Sequence, residues 1–90
     1  MYKVLLVEDE KLIRKGLALS YHWAQQDCCL IGEASQGEMG LKMVGELRPD
    51  IVLTDVNMPL MNGLEMLEKA REIHVFTAVV LSGYDEFHLA

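Results

Sequence analysis

The sequence predicts an α/β fold built on a parallel sheet, and three observations carry that expectation. Short apolar runs bounded by turn residues alternate with amphipathic stretches of helical period, as successive β/α units do. Polar residues able to do chemistry stand at the carboxyl ends of these runs: Glu8 and Asp9 after the first, Asp55 after the third, Ser82 after the fourth. Ninety residues with 51% apolar side chains are enough for one small domain and no more.

Each element follows from its residues. Lys3 to Val7, with Val4-Leu5-Leu6-Val7 apolar throughout, reads as a strand buried on both faces. From Lys11 to about Trp23 a stripe of Leu12, Ile13, Gly16, Leu17 and Ser20 opposes Lys11, Arg14 and Lys15, which predicts the first helix. Cys28 to Ile31 gives a second strand. Ser35 and Glu38 then have the spacing of a capping box, so a second helix with Leu41, Val44 and Leu47 inward should begin there. Gly40 and Gly45 each cost it roughly 0.8 to 1 kcal/mol relative to Ala, which predicts the weakest of the helices. Pro49 and Asp50 end that segment, and Ile51 to Thr54 form a third strand running into Asp55. Pro59 and Asn62-Gly63 mark a loop before a third helix, about Leu64 to Ile73, capped by Asn62 and Glu65. Ala78 to Leu81 supply a fourth strand, and Asp85 is placed to start a fourth helix.

Composition removes several function classes. Lys and Arg total 8 against 14 for Asp and Glu, and the net charge of −6 has the wrong sign for a broad face that grips nucleic-acid phosphates. No apolar stretch approaches the roughly 18 to 20 residues that span a bilayer, and the first residues run straight into Glu8-Asp9-Glu10, unlike a secretory signal, so a cytoplasmic protein is expected. The two cysteines, Cys28 and Cys29, are neighbours on a strand and point to opposite faces; they suit strand packing in a reducing compartment. His22, His74 and His88 lack ligand spacing and read as surface residues.

The carboxylates at the strand ends are the informative feature. Ligands of open α/β sheets bind outside the carboxyl ends of the strands, where strand order reverses. Carboxylates converging there repel one another unless a hard cation sits among them, and oxygen ligands without nearby His or Cys favour Mg2+. An Asp beside such a cation can act as nucleophile toward a phosphoryl group and form an aspartyl phosphate, with the Ser82 hydroxyl donating to an equatorial oxygen. Taken singly, these residues have plainer readings: Glu8-Asp9-Glu10 as a solvated turn capping a helix, Asp55 as a turn residue, Ser82 as a loop hydroxyl.

Together, Val7-Glu8-Asp9-Glu10, Leu53-Thr54-Asp55-Val56-Asn57-Met58-Pro59, Met61-Asn62-Gly63-Leu64-Glu65 and Leu81-Ser82-Gly83-Tyr84 resemble the receiver domain of two-component response regulators, along the whole chain. The stretch from Leu81 to Phe87 is similar to receivers attached to AraC-type transcription activators. The resemblance implies a flavodoxin-like doubly wound sheet of strand order 2-1-3-4, with the fifth β/α unit of the family missing from residues 1–90. It implies that Asp55 accepts a phosphoryl group from a sensor histidine kinase, and that Asp9 and Asp55 ligate Mg2+ directly. Glu8 would act through water, and Asn57 would contribute its backbone carbonyl. Ser82 would bind the phosphoryl group and act as the switch, and Pro59 and Gly63 would shape the acceptor loop. The family Lys that follows the fifth strand has no counterpart in this chain. Transcriptional output would need a DNA-binding domain outside it.

Two other functions remain open at this level. A phosphohydrolase resembling the haloacid dehalogenases also uses a strand-end Asp with Mg2+, but it needs an acid two residues later, where this chain has Asn57. An interaction module without signalling activity, pairing with a kinase or with itself, is the third. The phosphoacceptor would not be an enzyme in the turnover sense. Self-association is expected in any case, because a fourth strand at the sheet edge exposes backbone groups and apolar side chains.

Overall fold

The computed structural model describes residues 1–81. Four parallel strands, β1 (Tyr2–Val7), β2 (Cys28–Ala34), β3 (Ile51–Asp55) and β4 (Thr77–Leu81), lie in the order β2-β1-β3-β4. The apolar run of β1 is central, with all of Val4 to Val7 buried, and it pairs with β2 on one side and β3 on the other. Strand order therefore reverses between β1 and β3, and their carboxyl ends open a crevice there.

Alternation along β1 and β3 assigns the two faces. Leu5, Val7 and Val52 join Ala34, Val44, Met58, Met66, Leu67, Ala70 and Phe76 in one core, covered by α2 (Gly37–Leu47) and α3 (Gly63–Ala70). The opposite face, with Val4 and Leu6, takes α1 (Lys11–Ser20). Strand β2 extends past the predicted Ile31 because the register shifts between Val4 and Leu5, which pair with Leu30 and Gly32. Ile31 is the inserted residue of a bulge, and pairing then continues through Ala34.

Several local expectations are corrected. The Ser35–Glu38 capping box does not form; the N-cap of α2 is Gln36, without a side-chain cap. Tertiary approach sets that start: a Cβ on Gly37 would lie 2.8 Å from the Met61 carbonyl oxygen, and one on Gly40 2.9 Å from Val7 Cγ2. The propensity lost at Gly40 thus brings α2 against β1. Helix α1 ends at Ser20, short of Trp23, and none of its residues is fully buried; Leu12 is 87% exposed. The Leu17 carbonyl, which ends the helix, accepts from the Tyr21 amide and from Trp23 Nε1, and Trp23–Gln26 form a separate 3-10 turn.

The Asn62–Glu65 capping box forms as predicted, with the Glu65 amide donating to Asn62 Oδ1 at 2.9 Å. Helix α3 stops at Ala70 rather than Ile73. The Ile73 and His74 amides both converge on the Ala70 carbonyl, which closes the helix and lets Phe76 turn into the core. His74 is half-buried, not a free surface residue, and its Nε2 lies 2.8 Å from the Pro49 carbonyl oxygen. Cys29 is exposed, so strand packing holds only for Cys28. Ser82, Tyr84, His88 and the expected helix start at Asp85 lie outside the described residues.

Candidate functional site

Val7 pairs with Thr54, so the chain leaves β1 and β3 at the same level. Glu8 and Asp9 are thereby carried to the side of Asp55, and one carboxylate oxygen from each of the three lies within 4.8 Å of the others. The sequence singled out these three residues, and the parallel register brings them together.

Their environments differ. Glu8 is 1% exposed, and its Oε2 accepts from the Glu10 amide at 2.9 Å. Burial pushes its carboxyl up to about 7; the Glu10 amide opposes this, and the charges of Asp55 and Asp9 add to it. Asp9 Oδ1 is buried and has no hydrogen-bond partner among the described residues. An orphaned acceptor of this kind costs about 1–3 kcal/mol or more when charged. Asp55, half-buried, accepts from the Asn57 amide at 3.2 Å. An all-oxygen set with one unsatisfied buried carboxylate oxygen suits a hard cation that keeps part of its water shell.

The loop after Asp55 is folded tightly around it. Its carbonyl accepts from the hydroxyl of buried Thr54 at 2.9 Å. The Gly63 amide donates to the Val56 carbonyl at 2.9 Å, which folds the start of α3 back toward Asp55. Between them the Pro59 carbonyl accepts from Met61 at 2.8 Å in a three-residue turn centred on Leu60, whose φ is 70°. A bulky residue in that region is strained, and Leu60 is 94% exposed, so its side chain gains nothing from the core in return. Asn57 and Pro59 are exposed at the rim. Leu81 pairs with Asp55, and Ser82, next in the chain, lies outside the described residues.

The sequence reading missed Arg14, which it put on the solvent side of α1. The guanidinium turns back under the site and donates to the Glu8 carbonyl. No local pattern signals it, because its partners are a backbone carbonyl and a residue of β2.

Comparison with known proteins shows the family. Residues 4–90 match the family model described as the response regulator receiver domain. The chain belongs to the response regulator receiver family. Among curated relatives of this receiver domain, the transcriptional regulatory protein YdfI of Bacillus subtilis is 40% identical over 99% of the chain and 41% of its own length. The nitrate/nitrite response regulator NarL of Escherichia coli is 45% identical over 77% of the chain and 32% of its own. The solved receiver domain of AraT from Geobacillus stearothermophilus superposes with a TM-score of 0.85 at 36% identity, covering 97% of this chain and 68% of that one. The chain therefore spans about two-fifths of YdfI and a third of NarL. The expected sheet order 2-1-3-4 and the receiver fold are both observed. Receiver domains are not enzymes in the ordinary sense. Among the described residues no helix is long and apolar enough to cross a membrane.

Proposed function

We propose that Asp55 is the phosphoacceptor of this receiver domain and that Asp9 and Asp55, with Glu8 through water and the Asn57 carbonyl, hold Mg2+. The convergence of the Glu8, Asp9 and Asp55 carboxylates, with Asp9 Oδ1 buried and unpartnered among the described residues, carries this reading. When bound, the cation offsets the charge of the incoming phosphoryl group. An Asp55 carboxylate oxygen attacks phosphorus, the bond from phosphorus to the donor nitrogen breaks, and a phosphohistidine of a sensor kinase leaves as free histidine. The tight fold of Thr54 and Gly63 around the Asp55 carbonyl restrains the acceptor. Ser82, one residue past the register partner of Asp55, would donate to the transferred group.

Acetyl phosphate with Mg2+ tests this directly. Intact mass should rise by one phosphoryl group in the wild type and not in Asp55→Asn. Asp9→Asn should raise the Mg2+ concentration needed for half-maximal labelling by about 10-fold or more, as loss of one charged ligand in a site of few ligands does. Labelling that survives Asp55→Asn would move the acceptor elsewhere. Steady release of phosphate from a small ester would favour the phosphohydrolase reading, against which Asn57 already argues.

The partners follow from the family. Response regulators receive phosphoryl groups from sensor histidine kinases and pass the signal to output domains, and the named relatives YdfI and NarL point to transcription. With a net charge of −6, contact with DNA belongs to an output domain rather than to this sheet. The same reading places the protein in the cytoplasm, where a kinase of this class would deliver its phosphoryl group. Second copies of the chain are proposed to pair along β4, whose Val79 and Val80 are 44% and 42% exposed and whose outer edge is unpaired among the described residues. Sedimentation at micromolar concentration should show dimers; a cooperatively folding monomer would overturn the pairing.

A further inference from the structure

We infer that Arg14 is a positioning residue for the metal-binding turn, an assignment that rests on the phosphoacceptor reading above. Its side chain is 14% exposed although it starts from the polar side of a surface helix. Nη1 donates to the Glu8 carbonyl oxygen at 2.9 Å, while Nε faces Glu33 Oε1 at 3.7 Å. One planar guanidinium thus connects two elements: the turn that carries Glu8 and Asp9, and the carboxyl end of β2.

The surrounding bonds show what that contact adds. The Glu8 amide donates to the Ala34 carbonyl at 2.9 Å, and Glu8 Oε2 accepts from the Glu10 amide. The Glu8 carbonyl belongs to the peptide unit that leads into Asp9, and among the described residues Arg14 is its side-chain donor. Fixing this peptide plane sets the direction in which the Asp9 side chain leaves the backbone. That direction matters for Asp9 Oδ1, which makes no hydrogen bond of its own among the described residues. Glu33 aims the guanidinium and is itself held by Lys15 Nζ at 3.2 Å, so the support runs from α1 through β2 back to the metal turn. Arg14 contacts a backbone carbonyl rather than any of the three carboxylates. Its part is orientation, which needs the fork of a guanidinium more than its charge.

The test uses the 90-residue chain, acetyl phosphate labelling across a Mg2+ series, calorimetric titration with Mg2+ alone, and circular dichroism to confirm folding. Arg14→Gln should raise the Mg2+ concentration for half-maximal labelling by roughly 10- to 100-fold, the usual cost of losing a group that orients a ligand. The rate at saturating Mg2+ should return close to wild type. Arg14→Lys keeps the charge without the two-acceptor fork and should stay shifted, and Glu33→Gln should shift in the same direction by less. Should Arg14→Gln fail to fold, the Lys and Glu33 variants carry the test. An unchanged half-saturation in a folded variant, or its full restoration by Lys, would overturn the assignment. A wild type that neither binds Mg2+ nor labels would instead overturn the phosphoacceptor reading, with Asp55→Asn as the blank in either case.

Discussion

Gly63→Ala should cost this domain about 3 kcal/mol and lower its melting temperature by more than roughly 10 °C, at the upper end of overpacking penalties for a domain of this size. Gly63 has no positive φ; what requires glycine there is proximity. A Cβ would collide with the Asp55 carbonyl oxygen and stand 2.9 Å from its carbon and 3.1 Å from Val56 Cα. All three are backbone atoms, none of which can swing aside as a side-chain end can. Either α3 moves off the loop or the Asp55 peptide rotates, and rotation turns the Asp55 carboxylate away from Glu8 and Asp9. Labelling by acetyl phosphate should therefore fall with stability, by about 100-fold if the misplacement reaches 1 Å. Helix propensity alone predicts the opposite sign, because Ala in a first turn is favoured over Gly by up to about 1 kcal/mol. Gly45→Ala isolates that term: its nearest contact would be Ile73 Cγ2 at 3.7 Å, so this variant should be stabilised. Thermal melts of the two variants side by side decide between propensity and proximity, and a stabilised Gly63→Ala would sink the close-approach argument.

Glu8→Gln should stabilise the metal-free domain at neutral pH and remove a pH dependence that the wild type carries. Burial raises the Glu8 carboxyl from 4.5 to about 7 in the folded state. Between these values the folded chain keeps a proton that the unfolded chain releases, so stability from this residue is full below about 4.5 and declines as pH rises through 7. At 1.36 kcal/mol per pKa unit the ceiling is about 3 kcal/mol. Gln retains an acceptor for the Glu10 amide but has no charge to desolvate, and its difference from wild type should grow from nothing near pH 4.5 to its maximum above pH 7. A bound divalent cation favours the carboxylate, so saturating Mg2+ should shrink the difference and EDTA should restore it. Urea melts of both proteins over this range check the prediction; parallel curves would show that burial of Glu8 is not what governs its proton.

The order of elements, the strand-end carboxylates and the Asn62–Glu65 cap were legible because each depends on neighbours in sequence. A buried central strand needs a continuous apolar run, and Val4 to Val7 supply one. A capping box is a contact over three residues, and its chemistry is complete in Asn62 and Glu65. The same local rule failed at Ser35, where two glycines draw α2 against Met61 and Val7 and tertiary approach outranks a cap. Alternation could not reveal the bulge at Ile31, since a register shift shows only against the partner strand.

By itself the sequence determined which residues reach the carboxyl ends of the strands, because chain direction and strand length are local properties. Only the tertiary structure decided how close they come, which of them loses its water, and what restrains them. The pairing of Val7 with Thr54 sets three carboxylates within 4.8 Å. Burial raises Glu8 while the neighbouring Asp9 is left with an oxygen unpartnered among the described residues. The return of Arg14 from the helix surface to the Glu8 carbonyl joins segments that hydropathy alone would have kept apart. Desolvation and Coulomb interaction depend on distance through space and on the dielectric around each group, and neither is set until the chain has closed on itself.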